Sequence, residues 1–86
     1  MVEKNITIAN PSGLHTRPAK RIVDVARAFT SEITFIKEGR DGSAKNLLKL
    51  MKLGITLGNT ITVRCEGEDE SAALESISAA LASLSE

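Results

Sequence analysis

His15 is the only histidine among the 86 residues, and it stands in Gly13-Leu14-His15-Thr16-Arg17-Pro18. An arginine follows two positions on and a proline three positions on, and a helix-period run, Ala19 to Phe29, begins at once. His15 therefore falls where a loop hands over to a helix, so its ring can lie close to the N–H groups of the first turn. Those donors, with the positive end of the macrodipole, attract anions. Pro18 fits this place, because a first-turn proline gives up an N–H that has no helical partner anyway. A titratable nucleophile beside an anion site points to phosphate chemistry.

Other chemistries find little support. Metal binding needs further ligands, and no second histidine or cysteine offers itself to His15. Neither a metal nor any other cofactor is expected. Cys65 stands alone, which excludes an intrachain disulfide. In Ile61-Thr62-Val63-Arg64-Cys65 it shares a strand face with Ile61 and Val63, the place of a buried structural cysteine. A serine or cysteine triad fails on spacing and on that burial. A general acid/base pair of carboxylates has no candidate in an apolar setting. What remains is nucleophilic catalysis by imidazole itself, since a neutral ring nitrogen can attack phosphorus. The negative charge of a phosphohistidine could be held by helix N–H groups and by Arg17.

The elements that position this stretch follow from the periodicity. Val2 to Ala9 alternates, with Ile6 and Ile8 on one face, and predicts a first strand; Asn10-Pro11-Ser12-Gly13 is a turn. A first helix is predicted over Thr16 to Ala28, with Ala19, Ile22, Val23, Ala26 and Phe29 as its core stripe and Lys20, Asp24 and Arg27 opposite. Ser31 to Lys37 predicts a second strand with Ile33 and Phe35 inward, and Glu38-Gly39 turns it into a short third strand, Arg40 to Ala44. A second helix runs Leu47 to Leu53, with Asn46 as N-cap and Gly54 beyond its end. Thr60 to Glu66 is a fourth strand, and a last helix starts near Glu70, its stripe formed by Leu74, Ile77, Leu81 and Leu84. Acidic Glu68, Asp69 and Glu70 stand at that helix's positive end. The order β-α-β-β-α-β-α favours one sheet with helices packed on one face.

The second helix carries a surplus of apolar positions. At about 100° per residue, Leu47, Leu48, Leu50, Met51 and Leu53 cover roughly 220° of arc, whereas packing on a sheet needs little more than about 100°. The surplus, Leu47, Leu48 and Met51, is expected to face solvent as a docking surface.

Composition bounds the remaining possibilities. The length suits a single domain over residues 1–86, and with only Phe29 and Phe35 aromatic its core must rest on Ile, Leu, Val and Ala. The start of the chain lacks the apolar run of a signal peptide, and no stretch is long enough to insert in a membrane, so a cytoplasmic protein is expected. A net charge of zero argues against nucleic acid as the main partner. Yet residues 1–52 carry ten Lys/Arg against five Asp/Glu, and residues 53–86 carry one against six. Arg17, Lys20, Arg21, Arg27, Lys45, Lys49 and Lys52 lie in or beside the first two helices, a basic surface that would steer acidic partners or phosphate groups toward His15.

Ile8-x-Asn10-x-x-Gly13-Leu14-His15-Thr16-Arg17-Pro18-Ala19 resembles the active-site signature of HPr, the histidine-containing phosphocarrier family of the bacterial sugar phosphotransferase system. Phe29-Thr30-Ser31-Glu32-Ile33, Ala44-Lys45, Leu50-Met51-Lys52-Leu53-Gly54 and Glu66-Gly67-Glu68-Asp69-Glu70 are also similar to that family. The likeness spans nearly the whole chain. It implies an α+β open-faced β-sandwich, with a four-stranded antiparallel sheet and three helices on one face. It also implies a carrier, not a turnover enzyme, which accepts a phosphoryl group from enzyme I and passes it to enzyme IIA proteins. Transcriptional or metabolic regulators are further partners in prospect, and the chain is expected to act as a monomer. By the same resemblance His15 is phosphorylated on Nδ1, and Thr16 and Arg17 bind the phosphoryl group. Thr16, Lys20, Arg27, Leu47, Leu48, Lys49 and Met51 fall on the partner surface.

HPr proteins commonly have a serine at the start of the second helix, phosphorylated in some bacteria by a dedicated kinase; Asn46 stands there instead. Asparagine caps a helix as well as serine does but accepts no phosphoryl group. Two other readings stay open. One is a regulatory module that only docks. The other is an acylphosphatase-like hydrolase, whose loop, arginine and asparagine Asn10, Gly13 and Arg17 imitate in the wrong order and spacing.

Overall fold

A computed structural model of the chain describes residues 1–85. The elements follow the expected order: β1 (Val2–Thr7), α1 (Thr16–Ala26), β2 (Glu32–Lys37), β3 (Arg40–Ser43), α2 (Leu47–Lys52), β4 (Thr60–Glu66) and α3 (Glu70–Ala82). The strands form one antiparallel sheet in the order β1-β4-β2-β3, with Ile6 opposite Ile61 and Phe35 opposite Val63. A two-residue turn joins β2 to β3, with Glu38 and Gly39 both at positive φ, the conformation whose twist matches a hairpin.

Alternation along the strands separates the two faces of the sheet. Ile33, Phe35, Ile61, Val63 and Cys65 are fully or almost fully buried beneath the helices. α3 packs on β1 and β4, α2 packs on β3, and α1 contacts both other helices. The opposite face is open and polar. Across β1 and β4 it pairs Glu3 with Arg64 at 3.6 Å, Thr62 Oγ1 with Asn5 Oδ1 at 2.8 Å, and Thr7 with Thr60 at 2.9 Å. Such cross-strand pairs stabilise a wet face without apolar area.

Several boundaries differ from the periodic reading, for local reasons. β1 stops at Thr7 because Ile8 leaves the ladder: its N–H donates to Asn59 O and its carbonyl accepts from Gly58 N–H. α1 ends at Ala26, two residues early, as Ala28 and Phe29 donate to Val25 and Ala26 in a tightened last turn. Phe29 is therefore only half-buried, outside the helix. On α3 the stripe includes Ala73, Ile77 and Leu81, whereas Leu74 is half-buried and Leu84 is buried just beyond the helix end.

Asp69 does something the helix-dipole reading does not anticipate. It occupies the N-cap position of α3 but makes no side-chain bond to that helix. Its carboxylate instead accepts from the Thr30 N–H at 2.9 Å, the Ser31 N–H at 2.9 Å and the Ser31 hydroxyl, tying the start of β2 to the start of α3. Those donors, the Ser31 hydroxyl foremost, lower its pKa to about 2. The neighbouring Gly67 leaves room for this clasp, since a Cβ there would stand 2.6 Å from Ser31 Oγ. Burial pushes the Cys65 thiol up, and the carboxylates of Glu70 and Asp69 add to it, as befits a structural cysteine.

Candidate functional site

His15 sits at the N-cap position of α1 with an extended backbone, φ −69° and ψ 178°. Its carbonyl starts the helix by accepting from Ala19 N–H at 2.9 Å. Its side chain makes no capping bond and is exposed, so the imidazole is not spent on satisfying the helix. No acidic side chain lies in the first turn of α1, which leaves its positive end available to an anion. Pro18 and Ala19 are buried and seat that turn on the core. Thr16 and Arg17 are exposed on its rim.

Two loops hold His15 in place. In the first, Asn10 is buried; its Nδ2 donates to Gly13 O at 2.8 Å, and Gly13 N–H returns a bond to Asn10 O at 3.1 Å. Leu14 N–H then crosses to Ile55 O at 3.0 Å in the second loop. There Asn59 Oδ1 accepts from both the N–H and the hydroxyl of Thr56, at 2.8 and 3.1 Å. The loops meet so closely that Gly13, at φ +59°, has no room for a side chain: a Cβ would lie 2.5 Å from Ile55 O and 2.6 Å from Thr56 Cα. Between them opens a surface cavity of about 220 Å³ lined by Leu14, His15, Met51, Gly54, Ile55 and Thr56.

α2 borders this cavity. Asn46 caps it, its side chain accepting from Lys49 N–H at 3.1 Å, as the sequence predicts. Met51 Sδ accepts a weak bond from Thr16 Oγ1 at 3.8 Å, so α2 reaches the first turn of α1. Leu48 is 69% exposed and Met51 38%, as expected from the surplus of apolar arc. Leu47 corrects that expectation. It is half-buried and packs against the core, because the helix is short enough for the core to wrap its first turn.

Leu57 replaces it as an exposed leucine, 57% accessible and one residue beyond the Thr56 that lines the cavity. A leucine beside two turn residues, Gly58 and Asn59, was the available signal, and periodicity passes over it because it belongs to no helix or strand. Lys20 and Lys49 are exposed. Arg27 is exposed as well, but its Nε donates to Lys45 O at 3.1 Å, while Lys45 Nζ donates to Phe29 O at 2.6 Å. Those two cations therefore also join the end of α1 to the approach of α2.

Among the described residues no group of three or more His, Cys, Asp or Glu is gathered that could hold a metal ion. Among the same residues no helix is long and apolar enough to cross a membrane.

Comparison with known proteins places this arrangement in a broader set. Residues 2–83 match the family model PTS-HPr, described as the PTS HPr component phosphorylation site. The phosphocarrier protein HPr of Buchnera aphidicola (subspecies Acyrthosiphon pisum) is 46% identical over 78 residues, covering 91% of this chain and 92% of that one. The phosphocarrier protein HPr of Haemophilus influenzae is 44% identical over 84 residues, covering 98% of this chain and 99% of its own. Among solved structures, HPr-C-His from Thermoanaerobacter tengcongensis superposes with a TM-score of 0.94 at 36% identity, covering 96% of this chain and 93% of that one.

Proposed function

The chain belongs to the HPr family of bacterial phosphocarrier proteins, and on that footing we propose that His15 accepts a phosphoryl group from enzyme I and gives it to enzyme IIA proteins. The observation that carries this reading is an exposed imidazole, uncommitted to capping, at the start of a helix whose first turn has no acidic side chain. His15 Nδ1 attacks the phosphorus of the donor phosphohistidine. The N–P bond to the donor breaks as the bond to Nδ1 forms, and the donor imidazole leaves with its electron pair. Discharge to the next acceptor runs the same exchange onward. Helix N–H groups, the Thr16 hydroxyl and the Arg17 guanidinium stabilise the added charge.

Larger partners dock through Thr16, Lys20, Arg27, Leu48, Lys49 and Met51, with the exposed apolar side chains at the centre and the cations as a steering rim. Leu47 contributes from the edge of the core. Residues 1–86 work as one unit, a reading supported by a family match over residues 2–83, and that unit acts as a monomer in the cytoplasm. Asn46 removes the kinase-dependent control that a serine there would allow, and the regulators that dock are those that need only the unmodified surface.

The test is phosphorylation by enzyme I with phosphoenolpyruvate and magnesium. One acid-labile, base-stable phosphoryl group is expected on the wild-type chain and none on His15→Ala; persistent labelling of the variant would refute the assignment. A protein that only docked as a regulatory module would take no label. An acylphosphatase-like hydrolase would release inorganic phosphate from acyl phosphates with neither partner present.

A further inference from the structure

We propose that Met51 is an oxidation site, at which peroxide forms the sulfoxide and so suppresses phosphoryl transfer through His15. The inference rests on the carrier reading of His15 and concerns its control.

The chain holds sulfur at Met1, Met51 and Cys65. Cys65 is fully buried and its thiol is pushed up by burial, so little reactive thiolate forms. Met51 differs from its helix neighbours. Leu50 is fully buried and Leu53 nearly so, whereas Met51 is 38% exposed, within reach of a small oxidant. It is also joined to the site. Its Sδ accepts from Thr16 Oγ1 at 3.8 Å, and its side chain lines the cavity that His15 lines.

The chemistry balances with hydrogen peroxide as oxidant. A thioether lone pair attacks one peroxide oxygen, the O–O bond breaks, and a proton shift releases water; sulfur loses two electrons and peroxide gains them. The product replaces an apolar, polarisable sulfur with a polar S–O group. Its oxygen accepts hydrogen bonds far better than the thioether, so the Thr16 hydroxyl is drawn to it. A phosphoryl group on His15 would compete for that hydroxyl while facing the partial negative charge of the new oxygen. The same oxygen adds a polar group to the face on which Leu48 stands exposed, where a partner must displace water.

The experiment exposes the full-length chain to graded hydrogen peroxide, quenches it with catalase, and then adds enzyme I and phosphoenolpyruvate. Peptide mass analysis reads one added oxygen at Met51 and, separately, at Met1. The labelling rate should fall about tenfold as Met51 converts, equivalent to the loss of one good contact, and methionine sulfoxide reductase should restore it. In Met51→Leu the ratio of treated to untreated rate should stay near one, whatever rate that variant starts from, while Met1 still oxidises. Met51 sulfoxide with an unchanged rate would overturn the proposal. So would an equal peroxide loss in Met51→Leu, or a Met51 that stays reduced while Met1 converts. Failure of the untreated chain to label would instead refute the carrier reading.

Discussion

Replacing Gly13 by alanine tests whether the two loops around His15 are held as the structure shows. Two costs add. At φ +59° an alanine pays about 1–2 kcal/mol for a left-handed backbone. Its Cβ would also stand 2.5 Å from Ile55 O and 2.6 Å from Thr56 Cα. Both obstacles are backbone, so no rotamer change relieves them, and forcing the loops apart costs about 1–3 kcal/mol more. The sum, about 2–5 kcal/mol, is a large part of the roughly 5–15 kcal/mol that holds a small domain together. At about 4–8 °C per kcal/mol for a chain of this size, Tm should fall by at least about 8 °C.

Gly39→Ala is the matched control. Gly39 has φ +78° and nothing within 4 Å of its missing Cβ, so it carries the backbone cost alone. The stability difference between the two variants, read from urea melts, therefore isolates the loop contact at about 1–3 kcal/mol. Labelling by enzyme I separates them further. Gly13→Ala displaces the Ile55–Thr56 wall of the cavity and strains the Leu14 N–H bond to Ile55 O, so transfer should slow. Gly39→Ala, in the β2–β3 turn, should label as the wild type does. Equal stabilities within about 0.5 kcal/mol, with equal labelling, would refute the close approach.

Leu48→Asp should leave Tm nearly unchanged, within about 0.5 kcal/mol as for other surface positions, yet raise the KM of enzyme I for the carrier about tenfold. A large loss of stability would show Leu48 to be core, as it is for its neighbour Leu50, where Leu50→Ala should cost about 2–5 kcal/mol. Asp69→Asn should be less stable than the wild type at neutral pH. The Asp69 pKa falls from 3.8 unfolded to about 2 folded, so its contribution is complete above roughly pH 5, fades as pH drops through that interval and is gone below it. Urea melts from pH 7 to pH 2 should show the gap between the two proteins closing; a constant gap would mean the carboxylate charge is not what holds Thr30 and Ser31.

The order of elements, the buried faces of β2 and β4 and the cap at Asn46 were legible because each depends on neighbours in sequence. Periodicity reports burial along one element, and capping reports a bond three residues long. The place of His15 at a helix start was legible for a similar reason, since that start is written in the next few residues. What stayed hidden depends on contacts between distant segments. Asp69 bonds Thr30 and Ser31, which lie 39 and 38 positions away, so its acidity looked like a favour to its own helix. Gly13 announced a turn, but its need for glycine comes from Ile55 and Thr56. Leu47 and Leu57 exchanged places at the surface because arc on a six-residue helix says little about how far the core wraps its ends.

The pairing of β1 with β4 has a consequence for how the protein comes into being. β4 is the last strand made, yet it lies between β1 and β2, and its register runs from Val2 opposite Cys65 to Thr7 opposite Thr60. The loop bearing Gly13 and Leu14 emerges from β1, and the loop bearing Ile55 and Thr56 leads into β4. Closing so long a chain segment is entropically costly and contributes nothing until the strands meet, which places it among the slower events of folding. A nascent chain that has made α1 already owns its histidine, but the Ile55–Thr56 side of the cavity has not yet been synthesised. The competent carrier arises only when the two ends of the chain have found each other.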